Sequence, residues 1–239
     1  MFRAFRNIIF GFLTLLLFSC SVFKPKNSIP IETRIEMITS EGTVRLKLYN
    51  ETPLHRDNFK KLVENRFYDG IKFHRVIKGF MAQAGDPNSK KDDFKGQLGQ
   101  NSEGETIPSE IHPNLFHKKG ALSAARMGDN VNPEKKSSGS QFYIVQGQKL
   151  TLKQLTQMEN RINQKQKNYQ QTEDNFQFSD AAKKVYQEVG GTPFLDNGYT
   201  VFGEISQGIE IIDKICSVKT AKGDQPVSAV TILSARIIK

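Results

Sequence analysis

Tryptophan is absent from this 239-residue sequence, and cysteine nearly so, with Cys20 and Cys216 the only two. Two cysteines cannot build a disulfide-dense scaffold or a multi-cysteine zinc module. The four histidines, His55, His74, His112 and His117, fall at no metal-ligand spacing. G-x-S-x-G, G-x-x-x-x-G-K-S/T and G-x-G-x-x-G are all missing, so no nucleophile elbow, phosphate loop or dinucleotide fingerprint is present. The carboxylates are dispersed, and Glu32, Glu36 and Glu41 read as solvated strand or turn positions. Neither a metal nor a cofactor is expected. What is present is apolar material for a core, 37% hydrophobic against 25% charged residues, which argues against wholesale disorder. The length allows one large domain or two small ones. A net charge of +9 suits nucleic acid or an anionic membrane surface.

The N-terminus separates these two partners. Residues 1–7, MFRAFRN, are short and positive, and residues 8–18, IIFGFLTLLLF, are uncharged and apolar. This is the pattern of a signal peptide over residues 1–19, with an apolar run too short to span a bilayer comfortably. Leu17, Ser19 and Cys20 resemble the bacterial lipobox, in which the cysteine is acylated and becomes the new N-terminus. The other reading is an ordinary secretory signal with a chance cysteine. Lipid on Cys20 implies a membrane-anchored envelope lipoprotein facing the periplasm, a partner list without nucleic acid, and a Cys216 with no disulfide partner. Residues 20–30 then form a lipidated polar tether punctuated by Pro25 and Pro30, ahead of a domain over 31–239.

That domain is strand-rich. Val44, Leu46 and Leu48 alternate with Arg45 and Lys47, and IETRIEMI before them is strand-like, joined through Ser40-Glu41-Gly42. Thr52-Pro53 opens a helix, with Thr as N-cap, Pro at the first position and Phe59, Leu62 and Val63 as its apolar stripe. Short apolar segments follow at 73–77, 80–86, 121–126, 141–146, 200–205 and 227–238, and a second helix fits 209–215. Many short strands between Gly-containing turns predict a mainly β sandwich or barrel. Residues 148–191 break the pattern. They are rich in Gln and Lys, with Leu152, Leu155, Met158 and Ile162, then Ala182, Val185, Tyr186 and Val189, at helical spacing before Gly190-Gly191. This predicts a helical insertion that buries one face. It either extends a substrate or partner surface or is a tolerated excursion.

Lys118-Lys119 and Lys135-Lys136 read as an anion site or as solvated loop charge. If 73–77 is a strand, Phe73, Arg75 and Ile77 share a face, and His74 and Val76 share the other. Arg75 is then a rim charge or a group aimed into a pocket, and His74 reads as a packed, hydrogen-bonded histidine.

Four blocks in order, FHRVIKGFMAQAGD, GALSAAR, SSGSQFYI and FLDNGYTVFGEI, resemble the cyclophilin-type peptidyl-prolyl isomerases over roughly 31–147 and 193–239. The resemblance implies a closed eight-stranded antiparallel barrel capped by two helices, with a substrate groove on its outer surface. It implies a monomer that accelerates X-Pro isomerisation in folding polypeptides. The alternative is a noncatalytic proline-peptide-binding or chaperone module. By resemblance Arg75 is the catalytic arginine, with Gln83 beside it. Phe80 and Met81 wall the proline pocket, Ala125 and Arg126 lie on the strand that pairs with substrate, and Gln141 lines the groove. Tyr143 stands where many members have Phe, Phe194 where some have Trp, with Leu195 after it, and Tyr199 where many have His.

Overall fold

The computed structural model describes residues 32–170 and 175–239. The leader, Cys20 and the tether lie outside the described residues. The described chain runs β1 (Thr33–Thr39), β2 (Gly42–Leu48), α1 (Pro53–Glu64), β3 (Arg75–Ile77), β4 (Met81–Ala84), β5 (Ala121–Ala124), β6 (Phe142–Val145), α2 (Leu152–Gln170), α3 (Asp180–Glu188), β7 (Val201–Gln207), α4 (Ile209–Cys216) and β8 (Ile232–Ile238). Every ladder is antiparallel, in the order β3-β4-β6-β5-β7-β2-β1-β8. No described helix is long and apolar enough to cross a membrane.

The mainly β, eight-stranded architecture matches the expectation, but the sheet does not close by a strand ladder. Its outermost strands, β3 and β8, meet through one isolated bridge, Lys72 to Thr231, and through backbone bonds such as Phe73 N–H to Val230 O at 2.9 Å. The physical reason is the length of β3, which begins at Arg75 rather than Phe73 and spans three residues. The alternation expected from residue 73 fails for the same reason. Phe73 and His74 are both buried, and only from Arg75 onward does exposure alternate.

Period-two patterning builds the core. Ile35 and Met37 of β1 face Leu46 and Val44 of β2 across the ladder, all four buried. At roughly 25 cal/mol per Å² of apolar surface, each such side chain contributes about 1.5–3 kcal/mol. Phe59 and Tyr68 meet Phe142 edge-on at 5.4 and 5.3 Å, which ties α1 to β6. Helix α1 carries the expected stripe of Phe59, Leu62 and Val63. Its cap differs from expectation, because the Thr52 hydroxyl makes no cap bond. The Glu110 carboxylate accepts instead from Leu54 N–H at 3.0 Å and His55 N–H at 2.9 Å. A distant carboxylate thus satisfies the orphan amides and faces the positive helix end. Cys216 on α4 is a free, buried thiol, pushed up to about 12 by desolvation.

Strands β4, β5 and β6 are buried on both faces. Ala82, Ala84, Leu122, Ala124, Phe142 and Ile144 enter the main core. Met81, Ala121, Tyr143 and Val145 form a second cluster on the other side. Helices α2 and α3 form where the sequence predicts helices, with Leu155, Ile162, Ala182 and Tyr186 packed around Phe178. Their apolar stripes are shorter than the spacing suggested, since Leu152 and Val189 at the outer ends are exposed.

His74 is packed as expected but not hydrogen-bonded, because neither ring nitrogen has a protein partner. Burial, reinforced by the Arg75 charge and opposed by Asp86, pushes its pKa from 6.5 to about 4. Between those values the unfolded chain binds a proton that the folded chain excludes. Stability present at neutral pH is therefore lost as pH falls from about 6.5 to about 4, by on the order of 3 kcal/mol. Burial also lowers the pKa of His55 and acts in the same direction. Denaturant titrations across this window are expected to show a His74→Gln variant with a slope flatter by about one proton. An unchanged slope would assign the pH dependence to other groups.

Candidate functional site

The second face of the sheet carries the site, and strand register assembles it. Arg75 pairs with Gln83, Gln83 with Tyr143, and Tyr143 with Ser123, so one row crosses β3, β4, β6 and β5. Directly opposed residues in antiparallel ladders lie about 4.5–5.5 Å apart at Cα and project to the same face. Met81, two residues before Gln83, takes the same face one step along. An open cavity of about 110 Å³ lies there, lined by Arg75, Phe80, Met81, Gln83, Ala125, Arg126, Tyr143, Leu195 and Tyr199.

Of the eleven sequence-predicted site residues, these nine meet in one cavity. The other two adjoin it. Gln141 accepts a hydrogen bond from Gln83 Nε2 at 3.0 Å, and the Phe194 ring lies 5.4 Å from that of Phe80. Arg75 is about half exposed, and its only ion pair among the described residues is a long one, Nε to Asp224 Oδ2 at 3.4 Å. A surface pair of that length contributes about 0–1 kcal/mol, so the guanidinium is free to turn toward a ligand. Arg126 is different. Its side chain is 1% exposed, its Nε donates to Gly198 O at 2.7 Å, and its Nη2 pairs with Asp129 at 2.6 Å. The guanidinium also sits 4.4 Å from the Tyr199 ring centroid. It supports the cavity wall by holding Tyr199.

The glutamines are fixed from below. Gln141 Nε2 donates to Gly99 O at 3.1 Å and to Asn101 O at 2.6 Å. That loop is itself held by the buried Asp86, whose Oδ2 accepts from Gly99 N–H at 2.7 Å and Asn101 N–H at 3.2 Å. The preceding Gly85 has φ +102°, and a Cβ there would fall 2.2 Å from Ser140 O. Only glycine lets the chain leave β4 so close to the Ser140–Gln141 backbone that leads into β6.

Sequence reasoning missed a second set of residues beneath the cavity. His117 Nδ1 lies 2.6 Å from Asp196 Oδ1, and His117 Nε2 lies 2.9 Å from the Tyr143 hydroxyl. The Tyr186 hydroxyl of α3 donates to Asp196 Oδ2 at 2.6 Å. A carboxylate only accepts, so Nδ1 donates to Asp196 and Nε2 accepts from the Tyr143 hydroxyl. Burial holds both phenols well above their ordinary pKa, so both stay protonated donors. The network runs from α3 to the cavity floor, and its members lie at 117, 143, 186 and 196, with no local signature. Gly191 at φ +158° makes room for it, since a Cβ would fall 2.2 Å from His117 O.

Ser137, His55 and Glu110 also line up, His55 lying 2.9 Å from Ser137 Oγ and 2.7 Å from Glu110. The order is that of a hydrolytic triad. Ser137 is 1% exposed, however, and the cavity beside His55 measures about 10 Å³, too small for a substrate. The trio instead holds Glu110 at the N-terminus of α1. No group of three or more His, Cys, Asp or Glu among the described residues is placed to hold a metal ion.

The family model for cyclophilin type peptidyl-prolyl cis-trans isomerases matches residues 34–237. A Staphylococcus saprophyticus protein named "Putative peptidyl-prolyl cis-trans isomerase" is 32% identical over 209 residues, 87% of this chain and 93% of that protein. A Staphylococcus aureus protein of the same name is 34% identical over 204 residues, 85% of this chain and 90% of its own length. A Cryptosporidium parvum cyclophilin type isomerase shares the fold, with a TM-score of 0.62 at 22% identity, covering 87% of this chain and 98% of that one. The same protein has been solved in the presence of the dipeptide Ala-Pro, with a TM-score of 0.61 to this chain at 22% identity and 86% and 99% coverage. With the match spanning both the sheet and the cavity residues, this chain belongs to the cyclophilin-type peptidyl-prolyl cis-trans isomerases.

Proposed function

We propose that the chain isomerises X-Pro bonds of polypeptides in the bacterial cell envelope, with Arg75 as the catalytic donor above the Phe80–Met81–Tyr143 pocket. The observation that supports this assignment most is the register row that sets Arg75 and Gln83 beside Phe80, Met81 and Tyr143 in one cavity. Rotation about the X-Pro amide faces a barrier of about 18–20 kcal/mol, because resonance must be lost. In the twisted state the proline nitrogen becomes pyramidal and basic. The ring enters the pocket, Gln83 and the backbone near Ala125 grip one side, and the Arg75 guanidinium donates to the nitrogen lone pair. Arginine suits this role because it stays charged at every physiological pH.

The energetics limit what Arg75 does alone. Turnover in milliseconds from a spontaneous ~10 s needs roughly 10⁴-fold, or about 5–6 kcal/mol. One charge-assisted hydrogen bond contributes about 1.5–3 kcal/mol. Positioning on a rigid floor and exclusion of water contribute the rest. The His117–Asp196–Tyr186 support of Tyr143 serves the first of these. No cofactor takes part in this scheme. The leader and Cys20 add an envelope anchor, with the domain acting as a monomer on clients that reach it.

Three outcomes are expected. Arg75→Ala should fold normally and lose about 10- to 100-fold in kcat/KM in a proline-limited refolding assay; wild-type turnover would remove Arg75 from the mechanism. Tyr143→Phe keeps the ring but strands His117 Nε2, so its unfolding midpoint should fall by the equivalent of about 1–3 kcal/mol while kcat stays within a few-fold. A midpoint equal to wild type would show that the network carries no load. Mass spectrometry of the native N-terminus should find a diacylated or triacylated cysteine at position 20, and an unmodified residue 20 would rule out the lipid anchor.

A further inference from the structure

A second cavity, of about 100 Å³, adjoins the proline pocket and shares Tyr199 with it. Phe194 forms the partition between them, its ring on Phe80 from one side and lining the second cavity on the other. The far wall is α2, through Ile162 and Lys165, and the remaining wall includes Lys135. This is a volume well above the ~10–15 Å³ that one water requires.

Two ammoniums, Lys135 and Lys165, and two carboxylates, Asp129 and Asp196, line it, and they are unevenly paired. Asp129 is fully engaged, one oxygen with Arg126 Nη2 at 2.6 Å and the other with Lys165 Nζ at 2.7 Å. Asp196 also borders the cavity, but its oxygens are held by His117 and Tyr186. Lys135 has no carboxylate partner among the described residues, and its ammonium donates only to Asn197 O at 2.9 Å. Lys135 sits at a positive φ of +54°, a conformation uncommon for a lysine, and Asn197 beside it at +59°. Burial, together with the Arg126 and Lys165 charges, lowers the Lys135 pKa, while Asp129 raises it. Of the two ammoniums that line the hollow, Lys135 is therefore the one without a carboxylate partner among the described residues. The neighbouring lysines are spent elsewhere: Lys118 on Glu204, Lys119 on Asp213 and Lys136 on Glu134.

We propose that this cavity, between α2 and the Phe194–Tyr199 segment, receives the carboxylate side chain of a client Asp or Glu lying a few residues from the target proline. Lys135 supplies the missing counter-charge, Lys165 the rim, and Ile162, Pro133 and Phe194 take the methylene stem. The 148–191 segment then reads acidic sequence context around X-Pro bonds. This inference rests on the isomerase reading of the adjoining pocket and adds a substrate class to it.

The test is kcat/KM for a peptide series with one central proline and a single Glu, Gln or Lys placed two to four residues to either side. On one side of the proline, Glu peptides are expected to exceed Lys peptides by about three- to tenfold at low salt. The preference should collapse toward one at high salt, as screening requires. It should also collapse in Lys135→Gln and in the exposed Lys165→Gln, but persist in Lys61→Gln, a charge-matched change on α1. Equal turnover of Glu, Gln and Lys peptides by the wild type would overturn the proposal, as would a preference that survives the Lys135→Gln/Lys165→Gln double variant or disappears equally in Lys61→Gln. If the Gln peptides themselves are not turned over by the wild type, the isomerase reading fails instead.

Discussion

Cross-strand register is the constraint on which the site depends. Each strand offers side chains alternately to two faces, and β4, β5 and β6 bury both. Ala82, Phe142 and Leu122 lock into the main core, so Met81 and Tyr143 have no choice but to face the cavity. A slip of one residue would turn the row Arg75–Gln83–Tyr143 inward and bring Val76 and Ala82 out. Core packing worth several kcal/mol per residue pair opposes that slip. The placement of Arg75 thus follows from hydrophobic burial on the opposite side of the sheet, rather than from any strong bond that Arg75 makes itself.

Around this row the protein adds two layers of support. On one flank Asp86 orders the 99–101 loop, the loop orders Gln141, and Gln141 orders Gln83. On the other flank Tyr186 and His117 converge on Asp196, and His117 in turn fixes the Tyr143 hydroxyl. Both chains end on residues that touch the cavity, and both begin in segments outside the sheet. The second begins in α3, so the helical segment is structurally joined to the pocket floor.

Much of this was legible in the sequence, for identifiable reasons. β1, β2, α1 and α4 follow period-two or helical patterns with one buried face, and these patterns survive in isolation. β3 was mis-sized because Phe73 and His74 are apolar or packable yet precede the ladder, and periodicity cannot tell burial beside a strand from burial within one. The Thr52 cap expected from local sequence is absent because Glu110, 56 residues from Leu54, outcompetes a local hydroxyl. Nine of the eleven site residues came together because four motifs, in order along the chain, carried them. Arg126 is near the site but serves the wall, a distinction set by Asp129 and Gly198, which no local pattern reveals. His117 and Asp196 had no signal at all, since their meaning arises only when the fold brings residues 117, 143, 186 and 196 together.

The proposed catalysis takes place where Arg75 overlooks the Met81–Tyr143 pocket. The most direct measurement is exchange NMR on an Ala-Pro peptide in the presence of protein carrying methyl-labelled methionine. Cis–trans exchange cross-peaks on a sub-second timescale are expected, together with a concentration-dependent shift of the Met81 methyl resonance. Exchange without any Met81 shift would place the chemistry elsewhere, and a Met81 shift without accelerated exchange would reduce the pocket to a binding site.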